Sequence, residues 1–190
     1  MIFEIIAATV IGYSVKKFCD WKNAKELGIL GMPESGKTLF WQKISNKDHV
    51  TKKDKIKPKG VSYSFKVNDF DGDYFDKYVE ITKNYNFNIF MFDISKYIGE
   101  KDYKDETDAR LLNLKDCDFV KKPYAIIGTH LDKCSPCEKA PIKKEVLSIV
   151  PKDIQELFHE NFYPISMDNN DENNNALSTL QEIIKQWRKN

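Results

Sequence analysis

Residues 31–38 read GMPESGKT, a complete G-x-x-x-x-G-K-[ST] pattern. Its spacing suits the holding of a polyphosphate: Gly31 and Gly36 let backbone N–H groups turn inward onto phosphate oxygens at a helix N-terminus, where the dipole favours anions. Pro33, Glu34 and Ser35 fill the turn between the glycines. Lys37 supplies a charge for the terminal phosphates, and Thr38 offers a hydroxyl to a Mg²⁺ ion bridging them. The pattern has meaning only between a strand and a helix. Both are expected here, from the apolar run Leu27-Gly28-Ile29-Leu30 before it and the helix-compatible stretch after it. A second candidate is Thr129-His130-Leu131-Asp132, directly after the apolar run Tyr124 to Gly128. That places it at the carboxyl end of a strand, where ligands collect in open α/β sheets. A carboxylate there accepts two hydrogen bonds. Guanine presents adjacent N1–H and N2–H donors and adenine lacks that pair, so Asp132 would select guanine. An ATP-using phosphate-loop enzyme, such as a small kinase, stays open if Asp132 is incidental.

These residues need a scaffold, and the chain supplies its pattern. With 190 residues, at about 150 per domain, one globular domain is expected. Composition of 41% hydrophobic, 31% charged and 13% aromatic residues excludes a disordered segment and a multi-pass membrane protein. Thirty Lys plus Arg against 29 Asp plus Glu leave a net charge of +1, so whole-chain electrostatics gives no reason to expect a nucleic-acid partner. From residue 26, short apolar runs alternate with longer helix-compatible stretches, the mark of an α/β fold. Strands are expected near 26–31, 55–57, 61–68, 87–93, 124–128 and 162–166. Helices are expected near 37–45, 74–84, 105–117, 138–149 and 175–188, with Pro58-Lys59-Gly60 as a hairpin turn between the second and third strands. The run Asp168 to Asn175 reads as a solvated loop.

Residues 1–23 stand apart from the domain expected over 24–190. Met1 to Phe18 is apolar on every helical face apart from Glu4 and small polar groups, and would reach about 27 Å as a helix, near the 30 Å of a bilayer core. Two readings stand: a marginal membrane anchor, with Lys16 and Lys17 keeping the domain on the cytosolic side, or a helix packed on the domain or a partner. Neither a cleaved signal peptide nor a lipidation motif is expected. Four cysteines in a chain of this size favour a reducing, cytoplasmic compartment. Cys134 and Cys137 form a Cys-x-x-Cys pair with no second pair or paired histidines, so no zinc is expected.

Three further segments give the motifs an order. Asp69-Phe70-Asp71-Gly72 ends the expected third strand and resembles a D-x-x-G element. THLD at 129–132 resembles N/T-K-x-D, with Thr129 for the commoner Asn and His130 for the Lys whose stem covers the base. Ile165-Ser166-Met167 resembles the S-A-K element, with Met167 in place of Ala. Their order after the phosphate loop resembles Ras-like small GTPases across about residues 26–188. NIFMFDIS at 88–95 looks most like the Arf side of that superfamily or bacterial Arf-like GTPases. An apolar N-terminal segment is also reminiscent of the signal-recognition-particle receptor β subunit.

The resemblance implies a three-layer P-loop NTPase G domain, with a six-stranded, mostly parallel sheet and about five helices, binding GTP or GDP with Mg²⁺. It implies that Asp69 holds a Mg²⁺-bound water, that the Gly72 N–H senses the γ-phosphate, and that Thr129, His130, Asp132, Ser166 and Met167 surround the base. The first-switch threonine that reaches Mg²⁺ would be Thr51, because placing Pro58-Lys59-Gly60 there puts Lys59 in its position. The lysine-rich run Lys47 to Lys59 reads as a solvated loop, or as a surface for an acidic partner or membrane. Asp73 stands where a water-orienting Gln is usual, so intrinsic hydrolysis should be slow or depend on a partner. The only arginines, Arg110 and Arg188, are expected on the surface and supply no catalytic finger. Two functions follow: a switch with effector, exchange and activating partners, or a pseudo-GTPase scaffold that keeps its nucleotide.

Overall fold

A computed structural model describes residues 25–45, 53–56, 65–69, 82–117, 119–167 and 176–187. Six strands form one sheet: β1 (Lys25–Gly31), β2 (Lys53–Ile56), β3 (Phe65–Asp69), β4 (Phe87–Asp93), β5 (Tyr124–Thr129) and β6 (Phe162–Pro164). Their spatial order is β2-β3-β1-β4-β5-β6. β2 runs antiparallel to β3 and every other pairing is parallel. Six α-helices are present among the described residues: α1 (Lys37–Ser45), α2 (Ile94–Gly99), α3 (Lys101–Lys115), α4 (Lys139–Ile149), α5 (Lys152–Phe158) and α6 (Ala176–Trp187). A single 3₁₀ turn, Leu131–Lys133, follows β5.

The central strands are apolar nearly throughout because both sheet faces are covered. FNIFMFD in β4 is buried from its second residue to its last, and YAIIGT in β5 likewise. Alternation along the strands then sorts side chains into two cores. Leu30, Phe90, Phe92, Ile126 and Phe162 face one layer, with Tyr97, Leu111, Leu114, Ile142, Val146 and Phe158. Leu27, Ile29, Ile89, Met91 and Ile127 face the other, with Phe40, Trp41 and Ile44 of α1 and Leu180, Ile183 and Ile184 of α6. The α1 contacts recur at i, i+3, i+4 and i+7 from Lys37, one stripe of a helix. The result is the expected three-layer α/β fold.

Two differences from the expected elements have local causes. α2 was not expected, because Ile94-Ser95 prolongs a β-compatible run. Asp93 ends that run as an N-cap, its carboxylate accepting from the Ser95 and Lys96 amides. α5 is likewise additional, a short helix set off from α4 by Pro151. Arg110 was expected on the surface and is buried instead: with Thr107, Leu111 and Leu114 it lies on the inward stripe of α3, its guanidinium paired with Glu106. The expected 74–84 helix, the 58–60 turn, the 168–175 loop, Arg188 and the apolar segment 1–18 lie in whole or in large part outside the described residues. Among the described residues no helix is long and apolar enough to cross a membrane.

Candidate nucleotide site

The loop joining β1 to α1 is built by backbone strain that only its own residues tolerate. Gly31 has φ 144°, and a β-carbon there would sit 2.1 Å from the Met91 carbonyl oxygen. The loop is pinned to β4 by Met32 N–H donating to that same oxygen at 2.9 Å. Glu34 and Gly36 both have positive φ, at 56° and 78°, so the chain doubles back before entering α1. A curl of this kind turns successive N–H groups toward one point, the geometry of an anion nest. Pro33 is half-buried in the curl and Glu34 is exposed, its carboxylate 2.9 Å from Lys96 Nζ in α2. That ammonium holds the Glu34 carboxyl below its ordinary range, and the carboxylate raises Lys96 in turn.

Lys37 lies in the first turn of α1, buried, and its Nζ donates back to the Met32 carbonyl at 2.7 Å. The Gly31 carbonyl lies at 3.4 Å. The ammonium is therefore held at the mouth of the loop rather than swinging in solvent. Ser35 is fully buried, and its Oγ has no hydrogen-bond partner among the described residues. Thr38 is exposed at the start of α1.

The residues expected around the base converge on the same end of the sheet. Thr129 is the last residue of β5, and its hydroxyl lies 3.1 Å from both the Ser35 and Phe92 carbonyl oxygens. Thr129 therefore ties the base-side loop to the phosphate loop. His130 follows in the left-handed region, φ 59°, which swings the chain into the 3₁₀ turn carrying Asp132. Ser166, just beyond β6, donates its hydroxyl to Asp132 Oδ1 at 3.0 Å. That bond orients the carboxylate from a second strand. The Leu131 N–H to Ile165 carbonyl bond and the Ile165 N–H to Gly128 carbonyl bond hold the two loops in register. The Met167 methyl lies beside Gly36, where a β-carbon would touch it at 3.7 Å. The Met that stands for Ala thus reaches the phosphate loop.

Of the residues expected from the sequence, Gly31, Pro33, Glu34, Ser35, Gly36, Lys37, Thr38, Thr129, His130, Asp132, Ser166 and Met167 are gathered at the carboxyl ends of β1, β5 and β6. Asp69 closes β3 in register with Ile29, at the same edge. Thr51, Gly72 and Asp73 lie outside the described residues. Two residues were missed. Asp93, at the end of β4, places Oδ2 at 3.1 Å from His130 Nδ1, and Lys96 binds Glu34. The Asp-x-Ser start of α2 was a capping signal within reach of a sequence reading.

The Cys134 thiol is buried and pushed up to about 11, chiefly by burial. Cys137 is exposed, its thiol donating to the Cys134 carbonyl at 2.8 Å. Among the described residues no three His, Cys, Asp or Glu side chains gather as a metal site would require.

No protein-family model and no curated protein matches the sequence. Solved structures do. The Arl6 (BBS3) small GTPase from Trypanosoma brucei, with a bound nucleotide analogue, superposes with a TM-score of 0.61 at 15% identity, over 87% of this chain and 96% of that one. A probable GTP-binding protein, EngB, gives 0.59 at 15% identity, over 87% and 99%. A GTP-binding protein from Sulfolobus solfataricus in complex with GDP gives 0.60 at 19% identity; 96% of this chain covers 58% of that longer one. Likeness at these identities is likeness of fold: the chain has the α/β fold of a P-loop GTPase G domain.

Proposed function

We propose that the chain binds GTP and GDP and works as a nucleotide-dependent switch with slow intrinsic hydrolysis. The observation that carries this reading is the pairing of a phosphate loop with an oriented carboxylate: Ser166 holds Asp132 at 3.0 Å while Thr129 ties that loop to Ser35. A carboxylate fixed in this way matches the paired N1–H and N2–H donors of guanine. Lys37 and the Gly31 to Thr38 backbone take the phosphates, His130 covers one side of the base, and Met167 packs by the loop. Mg²⁺ would be held by Thr38, Asp69 and, as the first-switch ligand, Thr51, oxygen donors of the kind this ion takes. When bound, the ion neutralises charge on the β- and γ-phosphates. Gly72 follows as the γ-phosphate sensor.

Hydrolysis is slow in this reading because Asp73 stands where a neutral, water-orienting amide is usual, and its carboxylate repels the γ-phosphate. Activating, exchange and effector proteins follow as partners. An Arf-like setting, with residues 1–23 as a membrane tether for the domain at 24–190, is the most economical use of the apolar segment. The second reading, a scaffold that keeps GTP without turnover, is favoured by the same Asp73.

The test is to identify the nucleotide released from purified protein, then to follow single-turnover hydrolysis of GTP with Mg²⁺. Recovered GDP with slow turnover is expected. Intact GTP with no turnover, unchanged by Asp73→Gln, would leave the scaffold. Recovered adenine nucleotide would overturn the role of Asp132.

A further inference from the structure

The Asp93 carboxylate is buried, 3% exposed, and both its oxygens are used. Oδ1 accepts from Ser95 N at 2.9 Å, Ser95 Oγ at 2.6 Å and Lys96 N at 3.2 Å, capping α2. Oδ2 faces His130 Nδ1 at 3.1 Å. A carboxylate only accepts, so the proton between them sits on Nδ1. Nδ1 also lies 3.0 Å from the Thr129 hydroxyl oxygen, which receives a share of that N–H. The single Thr129 proton then goes to a carbonyl, Ser35 or Phe92, each at 3.1 Å. With the proton on Nε2 instead, a bare Nδ1 lone pair would face a carboxylate and compete with Ser35 for the Thr129 proton.

We propose that Asp93 is a positioning residue of the nucleotide site: by fixing the His130 proton on Nδ1 it leaves the Thr129 proton for the Ser35 and Phe92 carbonyls, latching the loop after β5 to the phosphate loop and to β4. This rests on the nucleotide-binding reading only for what the latch holds. The tautomer belongs to the protein itself. The same corner reaches the phosphate loop a second time, through Lys96 and Glu34 at 2.9 Å.

Asp93→Asn separates the latch from the cap. Asn caps helices as well as Asp does, so its oxygen stays with the Ser95 and Lys96 amides and its NH₂ turns toward His130. The proton must then move to Nε2. In ¹⁵N-labelled full-length protein, the imidazole spectrum of His130 is expected to show a protonated Nδ1 and bare Nε2, exchanged in Asp93→Asn. Release of N-methylanthraniloyl-GDP is expected to quicken about fivefold in Asp93→Asn, the scale of one lost charged hydrogen bond partly replaced. In Thr129→Val, which lacks the latch hydroxyl, adding Asp93→Asn should quicken release no further, since both changes remove one coupling.

A wild-type His130 protonated on Nε2, an unchanged release rate, or effects that multiply in the double variant would each overturn the proposal. If the protein retains no guanine nucleotide, the functional reading fails alone, and the imidazole spectrum of the free chain still decides the tautomer. Should Asp93→Asn not fold, Asp93→Ser carries the comparison: serine also caps helices, its short hydroxyl does not reach the imidazole, and release should quicken about fivefold as well.

Discussion

Asp132 and Ser166 show how much chemistry one side-chain bond can settle. Asp132→Asn replaces two acceptors by one and turns an N–H toward the donors of guanine, so GDP affinity should fall by about 10²-fold or more in a titration with fluorescent nucleotide. Ser166→Ala keeps the carboxylate and removes only its orienting bond. It should cost about 1 kcal/mol, near a fivefold rise in the dissociation constant. Cys134 gives a pH test. Its thiol is held neutral up to about 11, against an ordinary 9.0, so the unfolded chain loses the proton first. Stability should therefore be intact below pH 9 and decline as the pH climbs toward 11, and Cys134→Ala should flatten that slope in denaturant titrations at pH 8 and 10.5. Most of the residues gathered at the candidate site were legible, because each motif is a local string. The Asp93–His130 pair was not. It exists only because parallel pairing of β4 with β5 sets Asp93 opposite Thr129, a juxtaposition that no local pattern reveals.

Elements were legible where their periodicity was long and uniform. β4 and β5 stand within a residue of expectation, since a continuous apolar run between polar segments has few other homes. α2 escaped because six residues hold less than two turns of pattern, and its first ones, Ile94 and Ser95, read as strand. Arg110 escaped for the opposite reason: a charged residue is ordinarily outside, and the Glu106 carboxylate one turn earlier helps make the inward stripe of α3 tolerable. Between sheet and helices, Phe92 packs against Tyr97, Phe158 and Phe162, with ring centroids at 5.0, 6.2 and 5.9 Å. Phe92→Ala should leave a cavity joining α2, α5 and β6 and cost about 3–5 kcal/mol, read as a lowered denaturation midpoint.

Across the described residues, two apolar layers clasp a sheet whose candidate site residues emerge at the carboxyl ends of its strands, directly beyond the core that the same strands carry. The three-layer plan was legible from the alternation of strand-like and helix-like segments. The role of residues 1–18 was not, since an apolar helix of that length fits a bilayer or a protein groove equally well. Deleting residues 1–18 should abolish co-sedimentation with membrane vesicles if they tether the domain, and persistent pelleting would refute the tether.

The loop at Gly31 also sets a timetable. Its anchor is the Met91 carbonyl, and β1 finds its parallel partners only in β3 and β4, so the first motif to leave the ribosome cannot take shape until β4 has followed it. Asp132 waits longer still, for Ser166. On the proposed function, a nascent chain therefore passes most of its synthesis without a finished nucleotide site, and binding arrives near the end, as a signal that the sheet is complete.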